Sequence, residues 1–289
     1  MISVYKRELK AYFTSYIGYI FIAFILLTTG IYSWYINYLN QSPEFEYILF
    51  NLNFIYLIAV PILTMRTIAG ERKQKTDCLL YSLPLSGSAI VIGKYLAQLT
   101  VLLIPTAIIC VYPLILMLFG TISTLTCYST IVGFFLMGAA LISVGVFISS
   151  VTENQIVAAI STFAVLFISY LSSVISNGIS TSAVTSFLSL CIIFLIISAA
   201  VAYFTRNGSF GVVTAIVLLL AATAIYLIAP SIYEGMIQKI LNSVSLFDRL
   251  GYFVTGIFDI TSVIYYLSVC SLFCFLTVQV IEKRRWSQL

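Results

Sequence analysis

The chain has 289 residues, 61% of them hydrophobic and only 8% charged. Its mean hydropathy is +1.10 and its net charge +4. Soluble domains carry about 25% charged residues, so this composition excludes an ordinary soluble domain and predicts a chain mostly embedded in lipid.

The apolar runs have about the length of 20 residues that a membrane-crossing helix needs. They do not alternate with period two, which favours helices over an outer-membrane barrel. The expected fold is therefore all-α: one polytopic membrane domain over residues 1–289.

Residues 1–16 place Ile2, Tyr5, Leu9 and Tyr12 at helical spacing, with Lys6, Arg7 and Lys10 between them. This predicts an amphipathic helix on the inner membrane face, touching lipid. A first span is expected over Ile17–Ile36, followed by a loop carrying only the acids Glu44 and Glu46. A second span covers Leu49–Met65. The segment 66–94 then holds five of the fourteen basic residues and is expected to be a cytoplasmic platform. The third span, Tyr95–Phe119, contains Pro105 and Pro113, which predict a kink. The fourth covers Tyr128–Val151. After Thr152-Glu153-Asn154-Gln155, with Thr152 as the expected N-cap, the fifth covers Ile156–Ile175. Residues 186–229 predict an extra membrane hairpin. Residues 230–260 form an amphipathic segment expected on the outer face. The last span covers Thr261–Ile281.

Eight spans result, with both termini inside. In that arrangement twelve of the fourteen basic residues lie on inner segments, and only Lys239 and Arg249 lie outside. Such a bias is the positive-inside signal. Basic residues at membrane borders reflect topology, so no nucleic-acid partner is expected.

The chain lacks the usual means of chemistry. It has no His, which removes the commonest metal ligand and neutral-pH base. The six Cys lie mostly inside apolar runs and read as packing residues, so neither a metal site nor catalytic residues are expected. Gly87 to Lys94 superficially resembles a phosphate loop. Five residues separate Gly87 from Gly93 where four are required, and Tyr95 stands where a magnesium-binding hydroxyl belongs. No bound cofactor is expected. Ala139-x-x-x-Ser143 and Gly145-x-x-x-Ser149 are spaced for close helix approach.

Within the platform, Thr76 is a plausible N-cap and Pro84 a helix stop. Leu79, Leu80 and Leu83 share one face between them. A helix of two turns is too short to stand alone, so it should dock on lipid headgroups or in a groove of a soluble protein.

Several motifs together resemble the permease subunits of ABC type-2 transporters, and within them the gliding-motility, GldF-like branch. They are Pro61-Ile-Leu-Thr-Met-Arg66, Glu71-Arg72, Thr76-Asp-x-Leu79-Leu80-x-Ser82-x-Pro84-Leu-Ser86 and Gly93-Lys94. Gly133-Phe-Phe-Leu-Met-Gly138, Ser149-Ser-x-Thr152-Glu153-Asn154-Gln155, Ser245-Leu-Phe-Asp248-Arg249 and Glu282-Lys-Arg-Arg285-Trp286 extend the likeness along the chain. The resemblance implies a permease in the bacterial cytoplasmic membrane, paired with a separate ABC ATPase subunit and with a second permease copy or paralogue. A membrane protein with a large outer domain is a further implied partner. ATP and Mg would be bound by the ATPase and not by this chain. Glu71, Arg72, Thr76, Leu79, Leu80, Leu83 and Pro84 would form the coupling contact, with Glu153 and Asn154 as a second one. The family pattern often has an acid in place of Gly70 and Gly in place of Lys75. Other functions compatible with the residues alone are an ion-coupled secondary carrier and a non-transporting scaffold.

Overall fold

A computed structural model gives the architecture, describing residues 1–39, 44–76, 86–118, 122–179, 181–205, 208–228, 233–256 and 258–288. The described residues form helices and connecting turns. Two compact units emerge, one of residues 1–168 with 246–289 and one of residues 169–245.

The first unit begins with α1 (Ile2–Thr14) and α2 (Tyr16–Ser33), the latter extended by a π turn over Trp34–Leu39. Next come α3 (Phe45–Leu52), a 3₁₀ turn (Asn53–Ile55), α4 (Tyr56–Thr64) and α5 (Ala69–Lys73). They are followed by α6 (Gly87–Ile109), α7 (Val111–Leu116) and α8 (Thr124–Val151). The helix α9 (Gln155–Gly178) contains the boundary between the units. The second unit adds α10 (Ala183–Thr205), α11 (Gly208–Ile228) and α12 (Met236–Val244). The chain then returns to the first unit with α13 (Leu250–Val254) and α14 (Ile260–Gln288).

Six described helical stretches are long and apolar enough to cross a membrane: Tyr16–Leu39, Phe45–Lys73, Gly87–Leu116, Thr124–Val151, Gln155–Ser176 and Ile260–Trp286. The predicted hairpin 186–229 falls on α10 and α11, helices of 23 and 21 residues.

The core of the first unit is built around α8, which packs against α3, α4, α6, α13 and α14. Small residues allow this. A Cβ on Gly145 would sit 2.8 Å from Thr64 Cγ2, so α4 approaches α8 more closely than any larger residue permits. The predicted small-residue spacing at Gly145 and Ser149 thus serves a contact within the chain. Tyr56, fully buried, packs its ring against Phe134 in a tilted pair, centroids 4.6 Å apart, and donates its hydroxyl to the Phe134 carbonyl.

Three boundaries differ from the sequence reading. The second stretch continues past Met65 to Lys73, and the third begins at Gly87, capped by Ser86 Oγ accepting from Ala89 N–H. The predicted kink falls at Cys110, between α6 and α7 and three residues before Pro113; α6 runs through Pro105. The proline at 113 has no N–H to return to Ile109, which explains where the helix breaks.

Part of the segment expected as a surface or partly inserted helix on the outer face packs into the first unit. Phe247, Leu250 and Phe253 are buried. The Phe253 carbonyl accepts from Ser129 and Thr130 at 3.3 and 3.1 Å, and the Leu246 carbonyl accepts from Tyr266 at 2.9 Å. Hydroxyls from α8 and α14 satisfy these carbonyls, and that lets a five-residue helix settle into the protein.

In the second unit, Phe187 stacks on Tyr226 at 4.7 Å, and Tyr233 donates to the Ala222 carbonyl. Gly235, with φ of 68°, precedes α12, and Gln238 ties that helix to the Ile179 carbonyl at 2.7 Å.

Candidate functional site

The basic segments gather at one end of the first unit. There α1 does more than lie on lipid: its Val4 and Tyr12 are buried, and it packs along α6. Gly93 makes this possible, since a Cβ there would stand 3.1 Å from Val4.

Lys94 is the centre of the arrangement. Its side chain is 1% exposed. The ammonium donates to Glu8 at 3.1 Å, to the Thr67 carbonyl at 2.9 Å and lies 2.8 Å from Glu71. Two hydrogen bonds and a second close carboxylate thus surround the buried ammonium. Arg7 Nη2 closes the ring, at 2.6 Å from both Glu8 and Glu71. Two cations and two anions therefore neutralise one another, as burial of charge requires. Burial alone would raise the Glu8 carboxyl. The nearby Lys94 charge, with Arg7 and hydrogen bonds from both, outweighs it and holds Glu8 below its ordinary value.

A neutral network continues inward. Gln98 Nε2 donates to Tyr12 at 2.9 Å and to Thr67 Oγ1, and Tyr12 donates to the Leu63 carbonyl at 3.2 Å. Burial raises the Tyr12 hydroxyl to about 12, so it keeps its proton and remains a donor.

The platform is anchored on a second side by α8. Ser149 Oγ accepts from the N–H groups of Ile68 and Ala69, at 3.2 and 3.1 Å, and so caps α5. Arg72 is buried and donates to the Thr152 carbonyl at 3.4 Å. A Cβ on Gly70 would meet Gln155 Nε2 at 3.0 Å. The two predicted contact groups, 71–76 and 153–154, thus adjoin.

Their individual roles are less open to a partner than predicted. Glu71 and Arg72 face the protein's own network. Thr76 is exposed, and both its N–H and its hydroxyl donate to the Glu71 carbonyl. With Lys75 N–H bonded to the Arg72 carbonyl and Lys75 at φ 56°, this is a Schellman ending of α5. Leu79, Leu80, Leu83 and Pro84, and the helix that Thr76 was expected to cap, lie outside the described residues.

The 152–155 turn also corrects a detail. Asn154, not Thr152, caps α9: its Oδ1 accepts from Ile156 N–H at 3.0 Å and its carbonyl from Ala158 N–H. Glu153 pairs with Arg284 at 3.0 Å, which brings the end of α14 to the same place. A Cβ on Gly87 would likewise meet Glu282. Sequence reasoning missed Lys94 and Gln98 as functional residues; both were visible as polar side chains at the start of an apolar run.

The profile of the family described as ABC-2 family transporter protein matches residues 10–232. The chain belongs to this family. No curated protein and no solved structure matches the chain. With six apolar stretches of spanning length, it is a multi-pass membrane protein and a permease component of the ABC transporter class.

Proposed function

We propose that this chain is the translocating subunit of an ATP-binding cassette exporter of the GldF-like branch, driven by a separate ATPase. It works in the bacterial cytoplasmic membrane with eight spans and both termini inside, as one permease domain. A second copy or paralogue completes the passage, and a membrane protein with a large outer domain joins the complex.

One observation supports this reading above the others. The 66–76 segment is bonded at once to α1, α6 and the 152–155 turn. A pull on the adjoining residues 77–85 would move spans two and three together with the N-terminal helix. The segment bearing Leu79, Leu80, Leu83 and Pro84 enters the ATPase groove. Glu71, Arg72 and Thr76 hold its base, and Glu153 and Asn154 flank it. ATP and Mg stay with the ATPase, whose closure supplies the pull.

The test is co-purification with the ATPase partner. Leu79→Asp or Leu80→Asp should leave the chain inserted and lose the ATPase. A full complement of ATPase on both variants would refute the docking site. Transport by ATP-depleted vesicles under an ion gradient would instead identify a secondary carrier.

A further inference from the structure

A cleft of about 340 Å³ opens beside the ionic ring, between the α1–α2 corner and the platform. Its walls include Arg7, Tyr12, Ser15, Ile17, Arg66 and Gln74. We infer that this cleft binds a phosphate anion, carried by the headgroup of an anionic lipid.

The charge balance points to an anion. Glu8 and Glu71 line the cleft too, but Arg7 and the buried Lys94 already neutralise them. Arg66 remains: it is exposed, and among the described residues it has no ion-pair partner. The cleft is therefore one positive charge in excess. Arg7 bonds both carboxylates through Nη2 alone, which leaves its Nε and Nη1 N–H groups for another acceptor. Two guanidinium groups suit phosphate oxygens: Arg66 can present a fork to them, and Arg7 adds single N–H donors.

The position points to lipid as the source. Ser15 separates α1 from the first spanning stretch, and Ile17 lies in that stretch's first turn. Arg66 lies where the second stretch leaves its apolar part. The cleft thus sits at the edge of the hydrocarbon layer, where an anionic headgroup is held by nearby basic side chains. Acyl chains would follow the exposed face of α2, which presents Tyr19, Ile20 and Leu27. A phospholipid there would hold α1 against the platform. The inference needs only the membrane reading and not ATPase docking.

The experiment is native mass spectrometry of the full chain in detergent, titrated with phosphatidylglycerol, with phosphatidylcholine, or with inorganic phosphate. Wild type is expected to retain one phosphatidylglycerol in preference to phosphatidylcholine. Arg66→Gln should weaken that binding about fivefold or more, the contribution of one basic side chain at an anionic surface. Arg66→Lys should fall between them, and Lys283→Gln should match wild type. Inorganic phosphate bound without phosphatidylglycerol, and lost in Arg66→Gln, would keep the anion site but make its source soluble. Equal binding by wild type and a folded Arg66→Gln, or no preference between the two lipids with no phosphate bound, would overturn the inference.

Discussion

Lys94 Nζ lies 2.8 Å from Glu71 Oε1, joining α6 to the platform through a lysine side chain that is itself 1% exposed. Removing the lysine would leave Glu8 and Glu71 facing each other with only the half-exposed Arg7 between them. Lys94→Met is expected to destabilise the protein by about 3–5 kcal/mol, as for a broken buried pair. Arg7→Gln should cost less than about 1 kcal/mol, because solvent screens it. Thermal unfolding of both variants in one detergent tests the order; equal losses would show that Lys94 is not the keystone.

The same ring predicts an acid response. The folded pKa of Glu8 is depressed, so its stabilising contribution is complete above the unfolded value, about 4.3 for a free glutamate. It is lost as pH falls through the folded value. The protection of the α1 amides against hydrogen exchange, taken relative to their intrinsic rate at each pH, should therefore fall at the acid end of a titration. In Glu8→Gln the α1 amides should exchange faster at neutral pH and respond less to acid. An identical acid response in the two proteins would remove Glu8 as its cause.

Lys75 occupies the left-handed position that ends α5. A side chain there costs roughly 1–2 kcal/mol relative to glycine, which accounts for glycine in the related pattern. Lys75→Gly should raise the unfolding temperature by an amount equivalent to about 1 kcal/mol, whereas Lys75→Ala should bring no such gain. A gain with alanine alone would assign the effect to charge.

The spans were legible because lipid demands long uninterrupted apolar runs, and Tyr16–Leu39 and Thr124–Val151 lie close to their predicted limits. The helix starts were harder. Ser86 was a capping residue in plain view, but the nine residues after it include Lys94, which suggested a loop. Its burial depends on carboxylates 23 and 86 residues away in sequence, and no local pattern reveals them. The turn 152–155 holds two capping side chains, Thr152 and Asn154, and the structure uses Asn154. Ser149 was taken for a small packing residue because its acceptor role depends on where α5 arrives.

The contact between Gly145 and Thr64 gives a steric test of the core. Gly145→Ala would put a methyl group within 2.9 Å of the Thr64 Cβ. Backbone must move to relieve it, at about 1–3 kcal/mol. Adding Thr64→Ala should recover part of the loss by removing the branched atoms. Calorimetric or fluorescence unfolding of the single and double variants measures the recovery. A Gly145→Ala protein as stable as wild type would show that α4 and α8 are not pressed together here.

Ser149 provides the sharpest separation of packing from hydrogen bonding. Its hydroxyl is the described partner of two buried N–H groups, those of Ile68 and Ala69, at the start of α5. Ser149→Ala keeps nearly the same volume, so packing alone predicts little change. Loss of the cap predicts about 1–3 kcal/mol of destabilisation, from donors left without an acceptor. The disturbance should be local: faster exchange at Ile68, Ala69 and Arg72, with α14 unchanged. Ser149→Thr, which keeps the hydroxyl, should retain the protection if its methyl is accommodated. If Ser149→Ala exchanged like wild type at those three amides, the serine would be a spacer. The platform would then be held mainly from α1 and α6, through Arg7 and Lys94, with Arg72 its remaining described bond towards α8.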